Sequence, residues 1–241
     1  MNERNINEMI DGLISELERV LGIGFSAAVY GSVARGQWLD GRSDVNLLIV
    51  LDDPSPPALS RLTGAVAAWH KKGLTPPLFI GRDEWQCAAD VFPIEITDMR
   101  LAYRVLHGAD PVAPLVVEPA DLRRAIEAEL RGKLVRLRQA YVRFGEAMPM
   151  LGGVATSSVA SFLVLLRGIA VLLGRDPGAQ PEETIAALAP ELGAGSSVVV
   201  EIAAHRRDKE WKCPPGVFGQ YLDVVHRAVE LVDTHNQPGV R

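Results

Sequence analysis

The sequence predicts an α+β fold: a small mixed sheet with flanking helices over residues 1–117, followed by a helical bundle over 118–241. Three observations predict it. Hydrophobic spacing alternates between helix-like and strand-like in the first part and is almost wholly helix-like in the second. The charge divides at the same place. Residues 1–117 carry ten Lys and Arg against fifteen Asp and Glu, whereas 118–241 carry fifteen of each. Finally, 241 residues that are 48% hydrophobic and 23% charged suit one large domain or two small ones with a real core.

The elements follow in order. Ile6, Met9, Ile10, Leu13, Ile14, Leu17, Val20 and Leu21 recur every three or four residues, which predicts an opening helix. Gly22 and Gly24 end it, since glycine accepts the left-handed geometry of a helix C-terminus. Residues 25–30 read as a short buried strand, broken by Gly31-Ser32 and a polar stretch to Ser43. Residues 45–51 are apolar at nearly every position, the pattern of a strand covered on both faces. A helix is expected over 58–72, strands over 77–80 and 92–97, and a short helix over 83–89 between them. In the second part, Leu122, Ile126, Leu130, Leu134, Leu137, Tyr141 and Phe144 make one helical stripe. Further helices are expected over 157–173, 182–188 and 217–235. Residues 197–205 are apolar enough for helix or strand and are read as helix. Short connections favour antiparallel neighbours, hence a bundle of four or five helices.

Composition excludes several classes. The chain is neither disordered nor a disulfide scaffold. A net charge of -5 argues against a general nucleic-acid partner. Cys87 and Cys213 are too far apart for metal-ligand spacing, and they form no disulfide framework, which points to a reducing, cytoplasmic setting. The N-terminal stretch lacks a signal peptide's continuous apolar run. The apolar stretch 159–173 is interrupted by Ser161 and Arg167 and reads as too short to cross a membrane.

The chemistry concentrates between Tyr30 and Val50. Gly31-Ser32 closes one strand, and Ser43-Asp44 opens the next about a dozen residues later. Asp44 and Asn46 are two apart, so on a strand they share a face. A carboxylate opening a buried apolar strand is costly unless it borders a cleft or meets a cation. Glu95 sits in similar apolar company within Pro93-Ile94-Glu95-Ile96-Thr97. If its segment pairs beside the Asp44 strand, the two carboxylates meet around one divalent ion. Hard oxygen donors of this kind suit Mg²⁺, which borrows the rest of its shell from water and phosphate. Gly31 would let backbone N–H groups approach a triphosphate, helped by a following helix N-terminus.

These residues, Gly31-Ser32, Asp44-x-Asn46 and Glu95, resemble the motif of the DNA polymerase beta-type nucleotidyltransferase superfamily. The likeness is to small bacterial members such as the aminoglycoside nucleotidyltransferases. It covers the first half of the chain, and the helical second half resembles the bundle that follows the catalytic domain there. The resemblance implies transfer of a nucleoside monophosphate from an NTP, ATP first among them, to a hydroxyl of a small molecule or protein. It implies Asp44 and Glu95 as catalytic residues, Asp44, Asn46 and Glu95 around Mg²⁺, and Gly31, Ser32, Ser43 and Lys133 on the nucleotide. It also exposes a departure. The family pattern carries a second carboxylate where this chain has Asn46, which implies either a slow enzyme or a nucleotide-binding or protein-interaction module, antitoxin-like in kind. A homodimer or a toxin-like partner stays open at this point.

Other residues have plainer readings. The basic run of the first bundle helix places Lys133 beside the apolar stripe, over a triphosphate or simply on a solvated face with i, i+4 pairs. Asp98 stands at odd spacing from Glu95 and so ranks below it if the segment is a strand.

Overall fold

The computed structural model describes residues 3–36, 45–145, 147–206, 208 and 210–235. They divide into two compact units, Met1–Glu118 and Pro119–Arg241.

The first unit runs α1 (Glu3–Leu21), β1 (Phe25–Tyr30), β2 (Asn46–Leu51), α2 (Pro56–Ser60), α3 (Thr63–His70), β3 (Leu78–Gly81), α4 (Arg82–Gln86), α5 (Pro93–Leu101) and β4 (Tyr103–His107). The described strands make one mixed sheet in the order β3-β2-β1-β4. β1 is antiparallel to β2 and β4, and β2 is parallel to β3.

Alternation along the strands builds two cores. Phe25, Ala27 and Val29 of β1 and Leu47, Ile49 and Leu51 of β2 face α1 and α3, whose Ile6, Ile10, Leu13, Leu17 and Trp69 complete that layer. Leu48 and Val50 face the other way, onto Trp85, Ile96 and Met99 of α4 and α5. β2 is therefore covered on both faces, which accounts for its unbroken apolar run. Each layer is pinned by an indole. Trp69 Nε1 donates to Thr75 O at 2.8 Å, and Trp85 Nε1 to Pro111 O at 2.6 Å. The register of β1 against β4 slips between Ala27 and Ala28. Just past β4, Gly108 has φ +70°, and a Cβ there would lie 2.6 Å from Phe25 O.

The structure differs from expectation at three places in this unit. The helix expected over 58–72 is two, because the chain turns at Arg61-Leu62 between α2 and α3. The segment 92–97, expected as a strand, is the start of α5: Pro93 occupies the first turn, where its missing N–H costs nothing, and Glu95 there complements the helix dipole. β4, which was not foreseen, takes the place beside β1.

The second unit holds α6 (Pro119–Phe144), α7 (Met148–Leu172), α8 (Pro181–Leu192), a 3₁₀ turn (Ala194–Ser197), α9 (Val198–Ala204) and α10 (Val217–Thr234). α7 is central and packs on α6, α8, α9 and α10. It starts nine residues before the expected 157 and takes in Gly152 and Gly153. Gly152 is there for a close approach: a Cβ would stand 2.5 Å from Trp211 O and 3.1 Å from Cys213 N. At 25 residues α7 is also longer than expected, long and apolar enough to cross a membrane by length and composition alone. More than half of its most apolar window is buried inside the protein, as in the core helix of a bundle.

Candidate functional site

The candidate site is built where β1 ends and β2 begins. Tyr30, the last residue of β1, stands opposite Asn46, the first of β2. By alternation both lie on the sheet face that carries Leu48 and Val50, under α4 and α5. The chain then turns sharply. Gly31 has φ +75°, a conformation that favours glycine, and a Cβ on it would approach Asn46 Nδ2 to 3.1 Å. The turn is tied down twice: Gly31 N donates to Ala102 O at 3.0 Å, at the junction of α5 and β4, and Arg35 N donates to Gly31 O at 3.1 Å. Ser32 is half-buried beside it. Residues 31–36 form hydrogen-bonded turns and no helix, so the expected helix N-terminus behind Gly31-Ser32 is absent from the described residues.

α5 brings the acidic groups. Ile94, Ile96, Thr97 and Met99 are buried, Glu95 is exposed and Asp98 is half-buried. Residues three apart on a helix share a face, so the odd spacing that set Asp98 aside on a strand becomes an argument for pairing it with Glu95. Their joint effect is visible at Tyr30. Burial raises the pKa of its phenol, and the negative charges of Asp98 and then Glu95 raise it further. The end of β1 therefore sits in a negative potential produced by two side chains of one helix. A second phenol is fixed nearby. Tyr103, opposite Tyr30 on β4, donates to Asp110 Oδ2 at 3.0 Å.

Of the residues expected at the site, the structure brings Gly31, Ser32, Asn46 and Glu95 to one sheet face and its end. Ser43 and Asp44 lie outside the described residues. Glu95 arrives from a helix rather than from the expected strand. Lys133 belongs to the second unit. Its side chain is only 6% exposed, and its ammonium donates to Ser161 Oγ at 2.8 Å and Ser158 O at 3.2 Å, fastening α6 to α7. Burial, and after it Arg136, lowers its pKa. Tyr30 and Asp98 are the residues that reading by motif missed. Pro93 followed by an acidic residue, a helix-start signal, was the clue available for Asp98.

The donor set was tested for fit to a divalent cation. Among the described residues no three His, Cys, Asp or Glu side chains converge as a metal cluster. Near the end of β1 the described residues offer the carboxylates of Glu95 and Asp98, whose charges reach Tyr30, and the amide of Asn46, groups of the type that bind a hard cation together with water and phosphate. By residue type such donors would suit Mg²⁺ shared with water and phosphate rather than a metal caged by protein alone.

Residues 10–98, which span α1 to Asp98, match the family model described as a nucleotidyltransferase domain. No curated protein matches the chain in sequence. Among solved structures, the fold is similar to a spectinomycin adenyltransferase from Enterococcus faecialis, crystallised with ATP and spectinomycin. That likeness has a TM-score of 0.56 at 14% identity and covers 95% of this chain and 99% of that one. The family model thus supports a nucleotidyltransferase domain over residues 10–98, and the solved structure supports the α+β fold.

Proposed function

We propose that the protein is a Mg²⁺-dependent nucleotidyltransferase that moves a nucleoside monophosphate from an NTP to a hydroxyl of a small molecule. The observation that carries the reading is the left-handed Gly31-Ser32 turn set against Asn46, at the end of the sheet where the charge of Glu95 is felt, inside a stretch that matches a nucleotidyltransferase domain. ATP is the favoured donor and a polyhydroxylated small molecule the favoured acceptor, since the similar enzyme was crystallised with ATP and spectinomycin. Two free thiols, Cys87 and Cys213, fit a cytoplasmic enzyme.

In this proposal Gly31, Ser32 and Ser43 hold the triphosphate. The glycine admits the phosphate close to the backbone, and the hydroxyls donate to it. Asp44, Asn46 and Glu95 hold the cation. The acceptor hydroxyl would attack the α-phosphorus in line, breaking its bond to the bridging oxygen so that pyrophosphate leaves, and a bound Mg²⁺ would supply positive charge to the phosphate oxygens. Glu95 lies at the exposed end of α5, where its carboxylate accepts the proton of the incoming hydroxyl. Lys133 enters in a different capacity from the one its sequence position suggested: committed to Ser158 and Ser161, it fastens two bundle helices.

Transfer of radiolabel from each of the four NTPs to a panel of hydroxylated acceptors tests the reading. Label transfer that needs Mg²⁺ and is abolished by Asp44→Ala is expected. Absence of transfer and of nucleotide binding, with intact folding, would overturn it. One observation favours a second reading. Asn46 offers an amide where the family pattern has a carboxylate, so a protein that binds nucleotide without turnover, or pairs with a toxin-like partner or a second copy, is the alternative. Nucleotide-dependent thermal stabilisation with no transfer would select it.

A further inference from the structure

We propose that Ser161 and Lys133 form a nucleophile and base pair inside the second unit, which makes the Ser161 hydroxyl an acceptor for acyl groups from activated esters. This goes beyond the nucleotidyl transfer set out above and stands without it.

α7 carries three serines close together. Ser157, Ser158 and Ser161 each donate a hydrogen bond to the carbonyl three residues earlier: Val154 O at 3.0 Å, Ala155 O at 3.1 Å and Ser158 O at 3.0 Å. Ser157 and Ser161 are both exposed and lie one turn apart. Lys133 sets them apart. It reaches across from α6, and its buried Nζ lies 2.8 Å from Ser161 Oγ and 3.2 Å from Ser158 O. The Ser158 hydroxyl in turn meets the fully buried Tyr221 phenol of α10 at 2.9 Å. A hydroxyl open to solvent therefore touches a buried amine, and a third group holds that amine in place. This is the arrangement by which a neighbouring base activates a serine.

An ordinary lysine is protonated at neutral pH and can only donate. At Lys133 burial disfavours the charged form and the Arg136 guanidinium adds to this, while the Glu129 carboxylate opposes it, and the net effect is a lowered pKa. From α7 and α10 the hydrogen-bonded chain brings the hydroxyls of Ser161, Ser158 and Tyr221, and burial keeps the Tyr221 phenol in its neutral form. The neutral amine accepts the Ser161 proton as Oγ attacks the carbonyl carbon of an ester. The Oγ–carbon bond forms, the bond from that carbon to the leaving oxygen breaks, and the leaving group departs as an anion with the electron pair. Lys133 then passes the proton to water.

Reaction of the full chain with p-nitrophenyl acetate, with the acetylated positions mapped by peptide fragmentation in a mass spectrometer, tests this. Ser157 is the reference inside the same helix. Ser161 is expected to be acetylated about 100-fold faster than Ser157, the scale of general-base assistance. Its rate is expected to rise with pH around a midpoint below the ordinary lysine value of about 10.4. Lys133→Arg keeps a cation that does not give up its proton, and is expected to bring Ser161 down to the Ser157 rate. Should that variant fail to fold, the ratio of the two serines and its pH profile in the wild type decide the matter. Equal labelling of the two serines, acetyl on Lys133 in place of Ser161, a flat pH profile, or Ser161 labelling unchanged in folded Lys133→Arg overturns the proposal.

Discussion

In the proposed site, Asn46 is the residue expected to set how fast transfer runs. Its amide faces Gly31 at 3.1 Å from where a Cβ would be, so the position is tightly built and its chemistry is polar but uncharged. Replacing it by Asp keeps the size and adds a ligand charge. A gain in turnover of about tenfold or more is expected, measured as initial rates of labelled transfer at saturating Mg²⁺. Unchanged turnover would mean position 46 is not a ligand. Lys133 is the other residue with a sharp consequence. Burial sets its folded-state pKa below the ordinary lysine value, so the unfolded chain binds the extra proton more readily. Between the folded-state pKa and the ordinary value the unfolded state carries more protons, and stability therefore rises with pH through that alkaline window. Below it the full cost of a buried ammonium is present. Melting wild type and Lys133→Met in parallel across this range should show the wild type gaining on the variant as pH increases, and a constant difference would refute the assignment.

Among the elements, α5 shows best what the sequence hides. Ile94, Ile96 and Thr97 are β-branched and alternate with polar residues, which reads as a strand. Pro93 and Glu95 form the opposing signal, and they prevail because Ile96 and Met99 fill a core against Leu48 and Val50 that a strand at this place would leave open. The proposed site was legible as far as it depends on local chemistry: Gly31-Ser32, Asn46 and Glu95 carry their signal in residue type and spacing. Asp98 and Tyr30 were not, because their relation to the others exists only once a helix lies across the sheet. In the bundle, α7 extends further towards the N-terminus than the expected 157, and Gly152 and Gly153 are both helical. A methyl group at Gly152 meets Trp211 O at 2.5 Å, whereas one at Gly153 meets nothing within 4 Å. Gly152→Ala is therefore expected to cost about 1–3 kcal/mol, and Gly153→Ala to be neutral or slightly stabilising. Denaturant midpoints of the two variants make the comparison, and equal values would show that the Trp211 segment does not press on α7.

For the whole molecule, the division into two units means that each has an interior of its own, that of the first being the two layers on either side of its sheet. Ile10, Ile49 and Trp85 belong to the first, and Ile126, Phe162 and Tyr221 to the second, all nearly or fully buried. A unit with its own core is able to fold alone. Residues 119–241 expressed by themselves are expected to give a helical circular-dichroism spectrum and a cooperative melt. A flat, non-cooperative signal would show that the bundle depends on the sheet unit. The borders of that sheet have a consequence of another kind. On one side β4 pairs with β1 through a slipped register at Ala27/Ala28 and ends at Gly108. On the other, β3 is four residues long and follows Pro76-Pro77, neither of which has an N–H to offer a newcomer. Among the described strands neither border presents a long straight ladder, so crowded copies find little template for fibril growth.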